Sequence, residues 1–115
     1  MLSIYHADLY ILKSVSKPTL ISNRVLQKAL ASLPDWKCNA AGTKLTASFS
    51  HPDYVSGLVM IARIAVHAEI CNHHPEIKYT YSKNVITLST HECKGVSKKD
   101  IELATKISKL YISQK

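Results

Sequence analysis

The sequence is poor in the features that mark several large classes of protein. Only three of its 115 residues are glycine and four are proline, which excludes collagen-like and proline-rich sequences. Its three cysteines, Cys38, Cys71 and Cys93, form no Cys-x-x-Cys pair, so we expect neither a disulfide framework nor a redox pair. The first residues lack the basic start and apolar run of a secretory signal. We therefore expect reduced thiols in a cytoplasmic protein, with a nuclear pool as an alternative.

Long apolar runs and acidic residues are scarce as well. The longest apolar stretch, Val55–Ala68, is interrupted by Arg63 and His67 and is shorter than the ~20 residues that cross a membrane, so we expect no membrane segment. Eight acidic residues against fifteen basic ones leave a formal net charge of +7. The lysines are dispersed from Lys13 to Lys115, which is typical of a solvated surface. We therefore expect no direct nucleic-acid partner.

What the sequence does contain is enough for one domain. It is 46% apolar and 20% charged, the composition of a globular protein, and its length suits a single core. We divide it into an N-terminal extension over residues 1–19 and one domain over residues 20–115.

Apolar periodicity predicts helices over residues 22–32, over residues 52–72 and from Ser97 to the end of the chain. The last helix begins with the capping-box pattern Ser97-Lys98-Lys99-Asp100. The longest helix is apolar over much of its circumference, and we expect it to be a central helix packed on a sheet. Its apolar positions are Val55, Leu58, Val59, Ala62, Ala65, Val66 and Ile70.

Alternating apolar and polar residues predict strands over residues 43–49 and 77–81, and a β-branched run predicts another over residues 85–90. A further short strand is expected near Trp36. These elements predict an α+β fold, a two-layer sandwich in which an antiparallel sheet of three or four strands carries helices on one face. Such a sheet has open edges that subunits can pair, so we expect a homodimer or homotetramer.

The segment from Glu69 to Pro75 is the richest in chemistry. Glu69 and His73 are four residues apart, so they are predicted to share a helix face. A helix C-terminus and a nearby carboxylate both favour a protonated imidazole, which makes His73 a candidate proton donor. His74 precedes Pro75 and is expected to leave the helix. The polar residues 89–92 end a strand, where they are well placed to line a pocket.

Simpler interpretations exist for each of these residues. A histidine at a helix end can be a cap or a surface residue, His-His-Pro can be only a helix stop, and Asp100 can be only the capping-box acid. A metal site is another alternative, because the chain offers ligand-type residues, but their spacing matches no zinc pattern. These ligand-type residues are Cys71, His73, His74, His91 and Cys93.

Taken together, the residues resemble those of the pterin-4a-carbinolamine dehydratases. That family carries an acidic residue, His-His-Pro after three further positions, an aromatic, a histidine closing a Thr-His strand and an aspartate opening the last helix. Here the same order is Glu69, His73-His74-Pro75, Tyr81, His91 and Asp100. The likeness covers roughly Leu20 to Ser113, and Ile86 to Cys93 is similar to the family's closing strand nearly letter for letter.

The resemblance implies a metal-free, cofactor-free dehydratase that converts a 4a-hydroxy-tetrahydropterin into the quinonoid dihydropterin, in tetrahydrobiopterin recycling. It implies that His73, His74 and His91 are catalytic, with His73 the main acid, His91 assisting proton transfer and His74 orienting the hydroxyl. Asp100 would orient His91 or only cap its helix. The implied substrate-binding residues are Glu69, Asn72, Pro75, Ser89, Thr90, Glu92 and Asp100.

Two positions depart from the family pattern, and two alternative functions remain. Ile77 stands where many members have an aromatic, which would weaken pterin binding, and Asn72 stands where an aspartate is common. Animal members also act as dimerisation cofactors of a homeodomain transcription factor. The alternatives are therefore such a protein-binding coactivator, for which nothing in the sequence marks a partner, or a catalytically weak pterin-binding relative.

Overall fold

The computed structural model describes residues 18–114, and its elements follow the predicted order. Helices and strands alternate in the way expected for an α+β fold, and the prediction of the fold class is confirmed. The elements are α1 (Asn23–Ala31), β1 (Trp36–Cys38), β2 (Leu45–Ser50), α2 (Tyr54–Cys71), β3 (Glu76–Tyr79), β4 (Lys83–Leu88), a 3-10 helix (His91–Cys93) and α3 (Lys98–Gln114).

The strands of this region form one antiparallel sheet in the order β1-β2-β4-β3. Along β2, Leu45, Ala47 and Phe49 are buried, whereas the residues between them are half-buried or exposed, so the predicted alternation is confirmed. Ala47 lies opposite both Trp36 of β1 and Ile86 of β4. The outer strands β1 and β3 leave two edges in the sheet of a single chain.

Short polar side chains begin and end the helices. The hydroxyl of Ser22 accepts the N–H of Val25 at the start of α1, and the carboxylate of Asp53 accepts the N–H of Ser56 at the start of α2, 2.8 Å away. This hydrogen bond holds the pKa of Asp53 below its ordinary value. At the other end of α2, Asn72 adopts a left-handed conformation with φ of 52°, which asparagine tolerates better than most residues.

The long helix α2 buries a different face from the one we expected. Gly57, Met60, Ile64 and Ala68 face the domain, and a Cβ atom at Gly57 would overlap the imidazole of His51. The apolar positions that had been predicted to pack on the sheet are exposed, so that prediction was wrong. They are Val55, Leu58, Val59, Ala62, Ala65, Val66 and Ile70.

The cause of this error is that α2 is apolar on nearly every side, so periodicity cannot select the inner face. Judged only by its length and composition, α2 could also cross a membrane. Core helices of soluble domains pass the same test, and Met60 and Ile64 pack fully into the hydrophobic core of this domain.

Helix α3 closes the core. Its residues Ala104, Ile107 and Tyr111, which are spaced by three and four positions, are buried. The ring of Tyr111 stacks on Phe49 with centroids 4.0 Å apart, and burial raises the pKa of its hydroxyl. Trp36 donates from its indole Nε1 to a serine of α3 at 2.8 Å. These contacts fix α3 against the sheet, and its N-terminus is thereby placed beside the end of α2.

Candidate active site

The left-handed turn at Asn72 decides where His73 lies. Helix α2 ends at Cys71, and the N–H of His73 donates to the carbonyl of Ala68 to close the last turn. The His73 side chain then leaves the helix and turns inward, where only 8% of the residue is exposed. We had expected His73 to share a helix face with Glu69. That expectation was wrong, because the helix ends before His73 is reached.

Inside the domain, His73 meets the first turn of α3. Its Nε2 lies 2.5 Å from Oδ1 of Asp100, a carboxylate with no exposed surface. The second carboxylate oxygen, Oδ2, accepts the hydroxyl of Thr90 at 2.7 Å and the N–H of Ser97 at 2.8 Å. A buried carboxylate needs such a full set of donors, since desolvation of an unpaired charge is costly.

One half of the predicted capping box is present. The carboxylate of Asp100 accepts the N–H of Ser97, but the hydroxyl of Ser97 accepts the N–H of Lys99 at 3.2 Å, and the N–H of Asp100 donates to the backbone carbonyl of Ser97. Asp100 is therefore the helix cap and also the partner of His73. We had expected its second role to involve His91, whereas the side-chain contacts of Asp100 within residues 18–114 are with His73 and Thr90.

Thr90 joins the end of the sheet to this network. It lies two residues after the end of β4, and its backbone pairs with Gly95 across a short loop, at 2.7 and 3.3 Å. The loop contains the 3-10 helix, which begins at His91, the residue after the buried Thr90. His91 and Glu92 have exposed side chains, as does Ser89 just before the loop. The fold thus places His91 at the same end of the sheet as His73.

His74 points the other way from its neighbour. Its Nε2 lies 3.3 Å from Oε1 of Glu69, and the two side chains are 56% and 71% exposed. The imidazole next to Glu69 is therefore that of His74. An exposed pair of this kind contributes little to stability, so its side chains remain accessible to a ligand.

The remaining predicted residues fall into different surroundings. Asn72 is exposed and forms the C-cap of α2, and Pro75 is half-buried where the chain enters β3. Ile77, the departure from an aromatic, is half-buried against the hydrophobic core. Thr90 and Asp100, predicted to bind substrate, are fully buried with their oxygens bonded to each other, to Ser97 and, for Asp100, to His73. Thr90 and Asp100 could therefore influence a substrate only indirectly, through His73.

Sequence reasoning missed the inward role of Ser97. Its hydroxyl lies 2.6 Å from that of Thr90 in the interior. The capping-box pattern identified Ser97 as a cap, but no spacing in the sequence indicates a contact with Thr90.

A cleft of about 480 Å³ at the start of α3 is lined by Ser97 and by charged residues of that helix, but by none of the three predicted catalytic histidines. Another cleft of about 260 Å³ between α2 and α3 is lined by His67, Cys71, Leu103 and charged residues of α3. Its described lining includes none of the three predicted catalytic histidines. Among residues 18–114, no three histidine, cysteine, aspartate or glutamate side chains converge closely enough to hold a metal ion. The candidate site is therefore defined by its polar side chains.

Comparisons with known proteins show which family the chain resembles. Residues 19–110 match the family model described as pterin 4 alpha carbinolamine dehydratase. A Rhodospirillum rubrum protein provisionally named pterin-4-alpha-carbinolamine dehydratase is 38% identical over 90 residues, which are 78% of this chain and 94% of the relative. A Mycobacterium leprae protein with the same provisional name is 35% identical over 92 residues, 80% of this chain and 96% of the relative.

A solved structure shows the same fold. The crystal structure of a transcriptional coactivator/pterin dehydratase from Brucella melitensis superimposes with a TM-score of 0.75 at 30% identity. The match covers 79% of this chain and 97% of that one. On these similarities, the chain belongs to the pterin-4-alpha-carbinolamine dehydratase family.

Proposed function

We propose that this protein is a 4a-hydroxytetrahydrobiopterin dehydratase that works by histidine acid–base catalysis, in tetrahydrobiopterin recycling. The observation that carries the proposal is the buried contact between His73 and Asp100. Thr90 donates to the other oxygen of the same carboxylate, and His91 is the next residue in the chain. Family membership supplies the substrate class. We place the reaction in the cytoplasm, the compartment that the unpaired cysteines favour.

The reaction needs two proton transfers and no electron transfer. The bond between C4a and the hydroxyl oxygen breaks as that oxygen accepts a proton and leaves as water. N5 loses its proton to a base, and its electron pair forms the new N5–C4a double bond. Histidine suits both transfers, because its ordinary pKa of ~6.5 allows either protonation state near neutral pH.

The surroundings of the three histidines support a division of labour. The imidazole of His73 is held in place by the buried carboxylate of Asp100, so we assign His73 as the acid that gives a proton to the departing hydroxyl. His91, on the exposed loop after Thr90, takes part in the transfer from N5. His74, which is exposed beside Glu69, orients the hydroxyl.

Exposed polar groups near these histidines are suited to bind the pterin ring. The side chains of Ser89 and Glu92 flank His91 on the surface, and Asn72 precedes His73. Hydroxyl, carboxylate and amide groups complement the amino and amide edge of a pterin. Thr90 and Asp100 hold His73 from the interior of the domain and do not contact the pterin themselves.

The direct test is the rate at which a freshly generated 4a-hydroxytetrahydrobiopterin becomes quinonoid dihydrobiopterin. We expect the protein to accelerate this step and the acceleration to survive EDTA, because no proposed step uses a metal. Absorbance would follow the product, with a no-protein sample giving the spontaneous rate. If a folded sample leaves the spontaneous rate unchanged, the protein is a pterin-binding or protein-binding relative without the chemistry.

The exposed face of α2 supports a homo-oligomer. Val55, Leu58, Ala62 and Ala65 are spaced alternately by three and four residues, the repeat that packs helices side by side. Val55 is 66% exposed, and Val59, one turn further along the same side of the helix, is 48% exposed; contiguous exposed apolar patches mark interaction sites. We propose a second copy as the occupant, because a stripe of this kind is complementary to itself about a two-fold axis.

Introducing a charge into this face should separate the subunits. We expect Val59→Glu to reduce the molecular mass measured by light scattering after size-exclusion chromatography to that of a smaller assembly. Val25→Glu, at a similarly exposed valine of α1, is the matched control and should leave the mass unchanged. A wild-type protein that is monomeric at every concentration would contradict the proposal. Binding to lipid vesicles or to a different protein through Val59 would assign the face to that partner.

A further inference from the structure

The hydrogen bonds around Asp100 have a direction that two backbone amides determine. An amide N–H can only donate. The N–H of Lys99 donates to the hydroxyl oxygen of Ser97, and the N–H of Ser97 donates to Oδ2 of Asp100. Neither bond can be reversed by rotating a hydroxyl or by moving a proton on a ring. The first turn of α3 therefore orients the rest of the network.

The two hydroxyl groups complete a chain with one polarity. Each hydroxyl has a single proton, and Thr90 gives its proton to Oδ2 of Asp100 at 2.7 Å. The short contact between Thr90 and Ser97, 2.6 Å, is then satisfied by the Ser97 proton. The chain runs from Ser97 through Thr90 to the carboxylate, and aligned hydrogen bonds of this kind reinforce one another.

The carboxylate of Asp100 is thereby held as an acceptor on both oxygens. Oδ2 receives the Ser97 amide and the Thr90 hydroxyl, which leaves Oδ1 to accept from Nε2 of His73 at 2.5 Å. The positive end of the α3 dipole also favours negative charge at this position. His73 must then carry its proton on Nε2, and Nδ1 is the ring nitrogen that remains for another partner.

We propose that Thr90 and Ser97 are positioning residues that lock His73 in the Nε2–H tautomer, so that Nδ1 exchanges the proton with the substrate. The tautomer is a property of the folded protein, and only the proton exchange with substrate rests on the proposed function. A carboxylate that could rotate or become protonated would let His73 change tautomer. The wrong nitrogen would then face the substrate, as happens when the aspartate of a serine-protease triad is replaced by asparagine.

Nitrogen-15 NMR of the histidine rings reads the tautomer directly. At alkaline pH, where a neutral imidazole has one N–H, we expect His73 of the wild-type protein to show Nε2–H alone. His73→Gln identifies its signals. Thr90→Val removes the hydroxyl while keeping the shape, and should give a mixture of tautomers. Thr105→Val is the matched control, because the Thr105 hydroxyl on α3 donates only to a helix carbonyl at 2.8 Å, and it should leave the His73 spectrum unchanged.

Asp100→Asn supplies the reference for the opposite tautomer. The Ser97 amide and the Thr90 hydroxyl would keep donating to the amide oxygen of the asparagine, so its NH₂ group would face His73. That group would donate to Nε2, which requires the Nδ1–H form of the ring. Ser97→Ala is the second test variant and should also mix the tautomers if Thr90→Val does not fold.

Steady-state kinetics provide the second readout. We expect Thr90→Val to lower kcat about tenfold with little change in KM, the usual size of an effect on a residue that orients a catalytic side chain. Thr90→Ser, which keeps the hydroxyl, should restore kcat.

The outcomes separate this proposal from the proposed function. Wild-type protein with Nδ1–H on His73, or Thr90→Val and Ser97→Ala variants that retain pure Nε2–H, would overturn the positioning role. A tautomer that changes only in the predicted variants supports the positioning role, even in a protein without dehydratase activity. Absence of dehydratase activity would overturn the proposed function alone. Loss of kcat in Thr90→Val with an unchanged tautomer would also overturn the positioning role.

Discussion

Replacing His73 with alanine is expected to slow the dehydration by about 10²–10⁴-fold, the range typical of removing a general acid–base group. The expectation follows from the position of the imidazole, which the buried carboxylate of Asp100 holds in one orientation. The rate of quinonoid dihydropterin formation under substrate saturation measures the effect. A rate within a fewfold of wild type would remove His73 from the role of acid.

Two further variants make this result specific. His73→Gln retains an N–H group that can reach Asp100 but cannot exchange a proton near neutral pH, so it should remain folded and be as slow as the alanine variant. His67→Ala removes a histidine that does lie on α2, where it lines the cleft between the helices, and should leave the rate unchanged. Equal losses in all three variants would indicate general damage to the fold.

Removing the carboxylate of Asp100 should have the largest effect on stability. In Asp100→Ala, the imidazole of His73 and the amide of Ser97 lose their acceptor in a region without solvent. Removing one partner of a buried pair typically costs about 3–5 kcal/mol. We expect a loss of this size in the free energy of unfolding, measured by urea denaturation.

A surface carboxylate of the same helix provides the control. Glu102 lies 3.8 Å from Lys98, and both side chains are largely exposed. Glu102→Ala should therefore change the free energy of unfolding by less than about 1 kcal/mol. A similarly small change in Asp100→Ala would show that the network around Asp100 does not stabilise the domain.

Local patterns in the sequence predicted the elements and their caps well. The alternation in residues 43–49 became strand β2, and Ser97-Lys98-Lys99-Asp100 became the start of α3, where the carboxylate of Asp100 accepts the N–H of Ser97 as in a capping box. These features depend on residues that are close together in the chain, so spacing carries the information. The candidate histidines were also found, because their residue types are distinctive.

Features that depend on distant contacts were predicted less well. His73 and Asp100 are 27 residues apart, and the turn that brings them together depends on one residue, Asn72, in a left-handed conformation. Spacing alone therefore paired Glu69 with His73, whereas the structure pairs it with His74. The inner face of α2 was also predicted wrongly, because apolar residues surround that helix and only the rest of the fold selects a side.

The first turn of α3 serves two purposes that most proteins keep apart. The groups that start the helix are the same groups that hold the imidazole of His73, since Ser97 and Asp100 take part in both sets of hydrogen bonds. A substitution that only weakens the helix start must therefore also loosen the side chain of His73. Under the proposed function, evolution or engineering at these two positions cannot adjust stability and reactivity independently, and the freedom to vary activity lies with the exposed residues around His74 and His91.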